Sequence, residues 1–163
     1  MRIEKAVTNA SPFILLSKAG LIHLLPDLFD EVLIVESVWE EIDQRGDIAR
    51  DNLIEYENEW VRSSCPIAHE VLIWNLGDGE SEVLSFALAN GQSHTALIDD
   101  RAARRCADTV SVRTLGTGGI LILSKKRGLV ESVSVELDKL IAAGLWIGSE
   151  VQNAILAEAG ELE

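Results

Sequence analysis

The chain has little that would staple, anchor or extend it. Only two cysteines occur in 163 residues, Cys65 and Cys106, with no Cys-x-x-Cys spacing and no Cys/His cluster at zinc-ligand spacing. They are expected to be free, buried thiols, and thiol catalysis has no histidine placed to support it. No apolar run approaches the length of a membrane span. The early run Phe13 to Leu16 is also too short for a signal-peptide core, and Arg2, Glu4 and Lys5 charge the N-terminal stretch. A cytoplasmic location is therefore expected. Repeats, low-complexity tracts and Pro/Gly/Ser linkers are missing. What is present is 47% apolar and 25% charged sequence, the profile of one globular domain able to bury its own core.

Basic residues are also scarce: 14 Lys and Arg face 27 Asp and Glu, a net of −13. That balance excludes a protein that coats nucleic acid or anionic lipid by bulk attraction. Seven of the fourteen cations, however, fall within residues 101–127 beside a single acid, Asp108. A local basic face survives the average.

The hydrophobic pattern alternates between short runs and helical stripes, which predicts an α/β fold. Residues 6–8, 31–35, 95–98 and 110–112 read as short strands of a parallel sheet covered on both faces. Between them, helices are expected over 11–18 (Ser11 as cap), 21–28, 38–42 (Ser37 as cap), 49–60, 80–90, 100–108 and 117–127. Two more are expected near 135–143 and 150–159.

Ligands of open α/β sheets bind beyond the carboxyl ends of the strands. The polar residues there are Asn9, Glu36 and the pair Asp99-Asp100. Two helical glutamates also fall on apolar stripes, Glu41 beside Val38 and Ile42, and Glu80 ahead of Val83, Leu84 and Ala87; both are expected to face inward. Converging carboxylates repel one another and imply a divalent ion, Mg2+ or Mn2+ for hard oxygen ligands, and with it phosphodiester hydrolysis. Arg101, Arg104 and Arg105 share one helical face beside this site, where they either hold substrate phosphates or pair with the chain's acids. Gly116 to Gly119 opens a helix but lacks the Gly-Lys-Ser/Thr ending of a nucleotide-binding loop. The four tryptophans are read as core or interface before base platforms.

Four segments in order, Val7-Thr8-Asn9-Ala10-Ser11-Pro12, Val35-Glu36-Ser37-Val38-Trp39-Glu40-Glu41-Ile42, Gly79-Glu80-Ser81-Glu82-Val83-Leu84 and Leu97-Ile98-Asp99-Asp100-Arg101, resemble a PIN domain. The element Leu115-Gly116-Thr117-Gly118-Gly119-Ile120-Leu121 resembles that of a prokaryotic subgroup that includes VapC-type toxins. The resemblance covers nearly the whole chain, residues 1–163, as a single domain, with helices from about 130 packed on or extending it. It implies a three-layer α/β/α fold with a mostly parallel sheet and an Mg2+ or Mn2+ site that cuts single-stranded RNA. It also implies the toxin of a toxin-antitoxin pair, with an antitoxin partner, and a homodimer. By matching positions, the acidic set is Glu41, Glu80 and Asp99 as metal ligands, with Ser11 in support. Glu82 and Asp100 compete with Glu80 and Asp99, which strand-end geometry and the helical stripe favour. The first family position, an Asp, is here Asn9, which supplies an oxygen but neither charge nor base. That leaves a second reading, a degenerate module that binds RNA or a protein without cutting. Glu36 either compensates with its own carboxylate or, as the preferred reading, is solvated or capping.

Overall fold

The computed structural model describes residues 5–162. Residues 1–4 and 163, Arg2 and Glu4 of the charged N-terminal stretch among them, lie outside the described residues. Five parallel strands form one sheet in the order β3-β2-β1-β4-β5: β1 Lys5–Thr8, β2 Glu31–Val35, β3 Trp60–Ser63, β4 Thr95–Leu97 and β5 Thr114–Leu115. The inner strands β1, β2 and β4 are buried almost throughout, which their unbroken apolar runs require. Helices flank the sheet. They are α1 Ala10–Lys18, α2 Leu24–Leu28, α3 Glu36–Asp43, α4 Ile48–Glu55, α5 His69–Leu72, α6 Asp78–Ala89, α7 Arg101–Thr109, α8 Thr117–Lys126, α9 Val133–Ala142 and α10 Ser149–Glu158. The α6 helix packs across β1, β2 and β4, and α8 gathers α2, α9 and α10.

The strand order decides where a ligand can sit. From β1 the chain builds outward through β2 to β3, then crosses back to add β4 on the other side of β1. Loops leaving β1 and β4 therefore diverge, and the crevice between their carboxyl ends is the topological switch point. The register pairs Thr8 with Leu97, and the Asn9 N–H donates to the Leu97 carbonyl at 3.0 Å. Asn9 and Asp99 thus end neighbouring strands on either side of that crevice.

Several expectations are corrected. Residues 110–112 are no strand: Ser111 is left-handed (φ 61°), and the Val112 N–H donates back to Ala107, the turn that closes α7. The fifth strand begins two residues later. The helix expected over 49–60 stops at Glu55, and Trp60 opens β3, an edge strand carrying Arg62 and an exposed Val61 in place of an apolar run. The helix expected over 21–28 starts only at Leu24. Neither serine caps as expected. Asn9 occupies the cap position of α1 and Val35 that of α3, so Ser11 and Ser37 lie inside first turns.

Candidate active site

Asparagine is a favoured helix cap, yet Asn9 makes no side-chain bond to α1. Its side chain is only 3% exposed together with its backbone, and Nδ2 donates to Glu80 Oε1 at 3.1 Å. The close approach of Gly79 permits this: a Cβ there would stand 3.1 Å from Asn9 Oδ1 and 3.3 Å from Val38. Glu80 projects from the first turn of α6, half-buried. Glu41, on α3, is drawn into the same field. Desolvation first and the Glu80 charge second raise its pKa above the ordinary carboxylate value, against a smaller opposing pull from Arg45. Its residue is exposed, a correction to the inward placement read from its stripe; it stands at the rim, within electrostatic reach of Glu80.

Asp99, half-buried at the end of β4, is fixed from the far side. The Thr117 N–H donates to its Oδ1 at 2.7 Å and the Thr117 hydroxyl to its Oδ2, so the carboxylate sits against the positive N-terminal end of α8. Each oxygen keeps a further acceptor site. Thr117 lies in the Leu115–Leu121 element singled out in the sequence, where nothing assigns it a contact with Asp99; a hydroxyl residue opening a helix just after a strand end is the available signal. Gly116 leaves room for the same packing, since a Cβ would lie 2.7 Å from the flexible end of Arg104 and 3.1 Å from Asp99 Oδ1.

The competing acids face elsewhere. Glu82 is buried, and its Oε1 accepts from the Ser37 N–H (2.8 Å) and hydroxyl (2.6 Å) while Oε2 accepts from the Cys65 N–H (3.0 Å). It ties the start of α3 to the segment after β3. Asp100 caps α7 through the Ala103 N–H. Glu36 receives two bonds from Arg62, which stacks on Trp39 at 4.5 Å, and this pairing holds its pKa low. It does not replace the missing carboxylate at position 9. Ser11 is exposed in the first turn of α1. Arg101, Arg104 and Arg105 are exposed and line one groove with Asp99; among the described residues none forms an ion pair, while Arg45, Arg50, Arg62, Lys125 and Lys139 do. Both cysteines are free, Cys106 buried and Cys65 half-buried.

A model of the PIN domain matches residues 5–161, which is nearly the entire sequence. The chain belongs to the PIN-domain family. PIN domains are generally nucleases and typically use divalent metals. No curated protein matches the chain. No helix among the described residues is long and apolar enough to cross a membrane.

Among the described residues of this PIN domain, no three carboxylate, imidazole or thiol side chains gather closely enough to hold a metal by themselves. The donor chemistry nonetheless fits a hard cation. Turning the Asn9 amide over places oxygen where nitrogen now stands, 3.1 Å from Glu80 Oε1. That separation is close to the ~3 Å between neighbouring oxygens of an ion bound at about 2.0–2.1 Å. Mg2+ commonly takes only one or two carboxylates and fills its shell with water and substrate phosphate. The site fits an ion held in that way.

Proposed function

We propose that this PIN domain is a divalent-metal-dependent endoribonuclease of single-stranded RNA. The observation that carries the reading is the buried Asn9–Glu80 contact at the switch point of the sheet, with Glu41 in the electrostatic field of Glu80 and Asp99 ending the strand next to that of Asn9. Bound Mg2+ or Mn2+ would supply a hydroxide from water at neutral pH and stabilise charge on the leaving oxygen. Asn9, Glu80 and Asp99 would hold it, and the chain's own groups do the rest. Glu80 is oriented by the Asn9 amide, and Asp99 by Thr117. Glu41, whose proton affinity is raised, is the group suited to take a proton from the attacking water. Arg101, Arg104 and Arg105, free of ion pairs among the described residues, are available to hold the phosphates. By family resemblance the products carry 5′-phosphate and 3′-hydroxyl ends.

The test is cleavage of end-labelled single-stranded RNA with Mn2+ or Mg2+ against EDTA, in the wild type and in Glu80→Ala and Asp99→Asn, with duplex RNA as control. Metal-dependent cutting lost in both variants supports the reading; cutting that survives both variants refutes the site. The second reading, a binding module without turnover, is favoured by the Asn9–Glu80 hydrogen bond, in which a neutral amide partners the carboxylate where a second acid would repel it. Binding without cutting in wild type, with cutting gained in Asn9→Asp, would establish it. A toxin role with an antitoxin partner belongs to the same proposal, and growth arrest on expression, relieved by Glu80→Ala, tests it. So does homodimerisation, supported by the exposed pair Leu72 and Ile73 and read by light scattering.

A further inference from the structure

Trp146 stands in the loop between α9 and α10 and is 97% exposed, an apolar surface that folding leaves unused. Trp39 and Trp60, by contrast, are buried, and Trp74 is half-buried. Trp146 forms one wall of a groove of about 860 Å³ that starts at Asp99, runs over Gly116 and Gly118 at the head of α8, and is bounded by α7 and α10. Four cations, Arg101, Arg104, Arg105 and Lys126, line it against Asp99, Asp108 and Glu158, an excess of positive charge in a chain of net −13. The second wall is built closely: a Cβ on Gly118 would stand 2.5 Å from Ile155 of α10. The C-terminal segment after α10 is tied down as well. Glu161 accepts from Lys125 and from the N–H groups of Val133 and Ser134 that open α9, and these bonds hold its pKa down at about 2.

Resting on the ribonuclease reading above, we infer that this groove is the path of the single strand beyond the acidic site, with Trp146 as a base-stacking platform and Arg104, Arg105 and Lys126 on the phosphates. Charge and shape select the ligand. Unpaired guanidinium groups spaced along a groove suit successive phosphates, and an aromatic face presented to the same groove suits an unstacked base. Duplex RNA offers no free base to stack. Continuity with Asp99 makes the groove an extension of the site and not a separate pocket.

The experiment uses the full chain carrying Glu80→Gln, in EDTA, titrated with a fluorescein-labelled oligouridylate and followed by anisotropy and by tryptophan emission. Trp146→Ala is expected to weaken binding roughly tenfold or more, with Trp146→Phe retaining most of it. The paired substitution Arg104→Ala and Arg105→Ala should lower the salt dependence by about one to two phosphate contacts. In the otherwise wild-type chain with Mn2+, Trp146→Ala should raise KM for long substrates by a larger factor than it changes kcat or the cleavage of a dinucleotide. Wild-type binding that Trp146→Ala does not alter overturns the groove and leaves the nuclease reading standing. A change in oligomeric state in place of RNA affinity overturns it in favour of an interface between copies. Trp146-dependent binding by a wild type that never cuts supports the groove while the nuclease reading falls, and failure of the wild type to bind oligouridylate overturns the groove outright.

Discussion

Replacing Asn9 with aspartate inverts the central contact of the site. The Nδ2–Glu80 hydrogen bond, worth about 1.5–3 kcal/mol to a charged acceptor, is lost. In its place two carboxylates face each other at about the same 3.1 Å, a repulsion of about 5 kcal/mol at an effective dielectric near 20. The pair escapes by taking up a proton, and that limits the penalty. Protonating a carboxyl of ordinary pKa near 3.9 costs about 4 kcal/mol at pH 7 but about 1.5 kcal/mol at pH 5, and the shared proton remakes the bond. In EDTA, Asn9→Asp should therefore be less stable than wild type by about 3–4 kcal/mol at pH 7 and by about 1–2 kcal/mol at pH 5. Millimolar Mn2+ should restore it at pH 7, by about 2.7 kcal/mol when the ion stands at a hundred times its dissociation constant, and should stabilise wild type much less. Urea unfolding at both pH values, with and without Mn2+, reads all of these quantities. Equal stability of the two proteins at pH 7 in EDTA would show that residues 9 and 80 do not meet, and the candidate site would go with them.

Other perturbations separate structural acids from functional ones. Glu82→Ala should cost about 3 kcal/mol in urea unfolding, because it leaves the Ser37 and Cys65 donors unanswered in a buried site, whereas Glu80→Ala should cost under about 1 kcal/mol; the reverse order would exchange their roles. Glu41 has a raised pKa in the fold, so the folded state holds its proton more tightly than the unfolded chain, and the associated stability fades as pH rises through that pKa. Glu41→Gln should accordingly be more stable than wild type at pH 7, indistinguishable at pH 4, and inactive in cleavage; a destabilised variant at pH 7 would contradict the coupling to Glu80. Gly116→Ala pushes on Arg104, which can swing aside, and on Asp99, which Thr117 holds. Cleavage should fall about a hundredfold while stability falls by about 1–3 kcal/mol, and unchanged cleavage would show that Asp99 placement is unimportant.

The buried part of the fold was legible because it is written in apolar runs. The inner strands at 6–8, 31–35 and 95–97 emerge from residues that a doubly covered parallel sheet requires, and the helices between them from their apolar stripes, whereas the expected serine caps were misplaced. The edges were not. Trp60 to Ser63 alternates too little to announce a strand, and Val110-Ser111-Val112 alternates too well for the turn it makes, since only the left-handed backbone at Ser111 distinguishes the two. At the site, the family motif alone does not separate Glu80 from Glu82, because both sit in the first turns of one helix, and the helical stripe only favours Glu80. Their separation depends on what lies across from each, Asn9 in one case and the start of α3 in the other. The contacts of Thr117 and Gly79 and the groove beside Trp146 were not legible for the same reason: each involves residues distant in sequence.

The distribution of ion pairs links the chain's acidity to its chemistry. Among the described residues, Arg45, Arg50, Arg62, Lys125 and Lys139 are each joined to a carboxylate. With 27 acids available, pairing is the cheap state for a cation on this surface, and an unpaired guanidinium must be kept apart by the fold. The α7 helix does this. It buries Ala103, Cys106 and Ala107 against the domain and turns Arg101, Arg104 and Arg105 to the groove that begins at Asp99. On a body of net −13, the unpaired arginines of this groove are the groups placed to contact phosphates, so affinity for RNA should depend on salt although the protein is anionic. RNA affinity independent of ionic strength between about 50 and 200 mM would place the strand on some other surface.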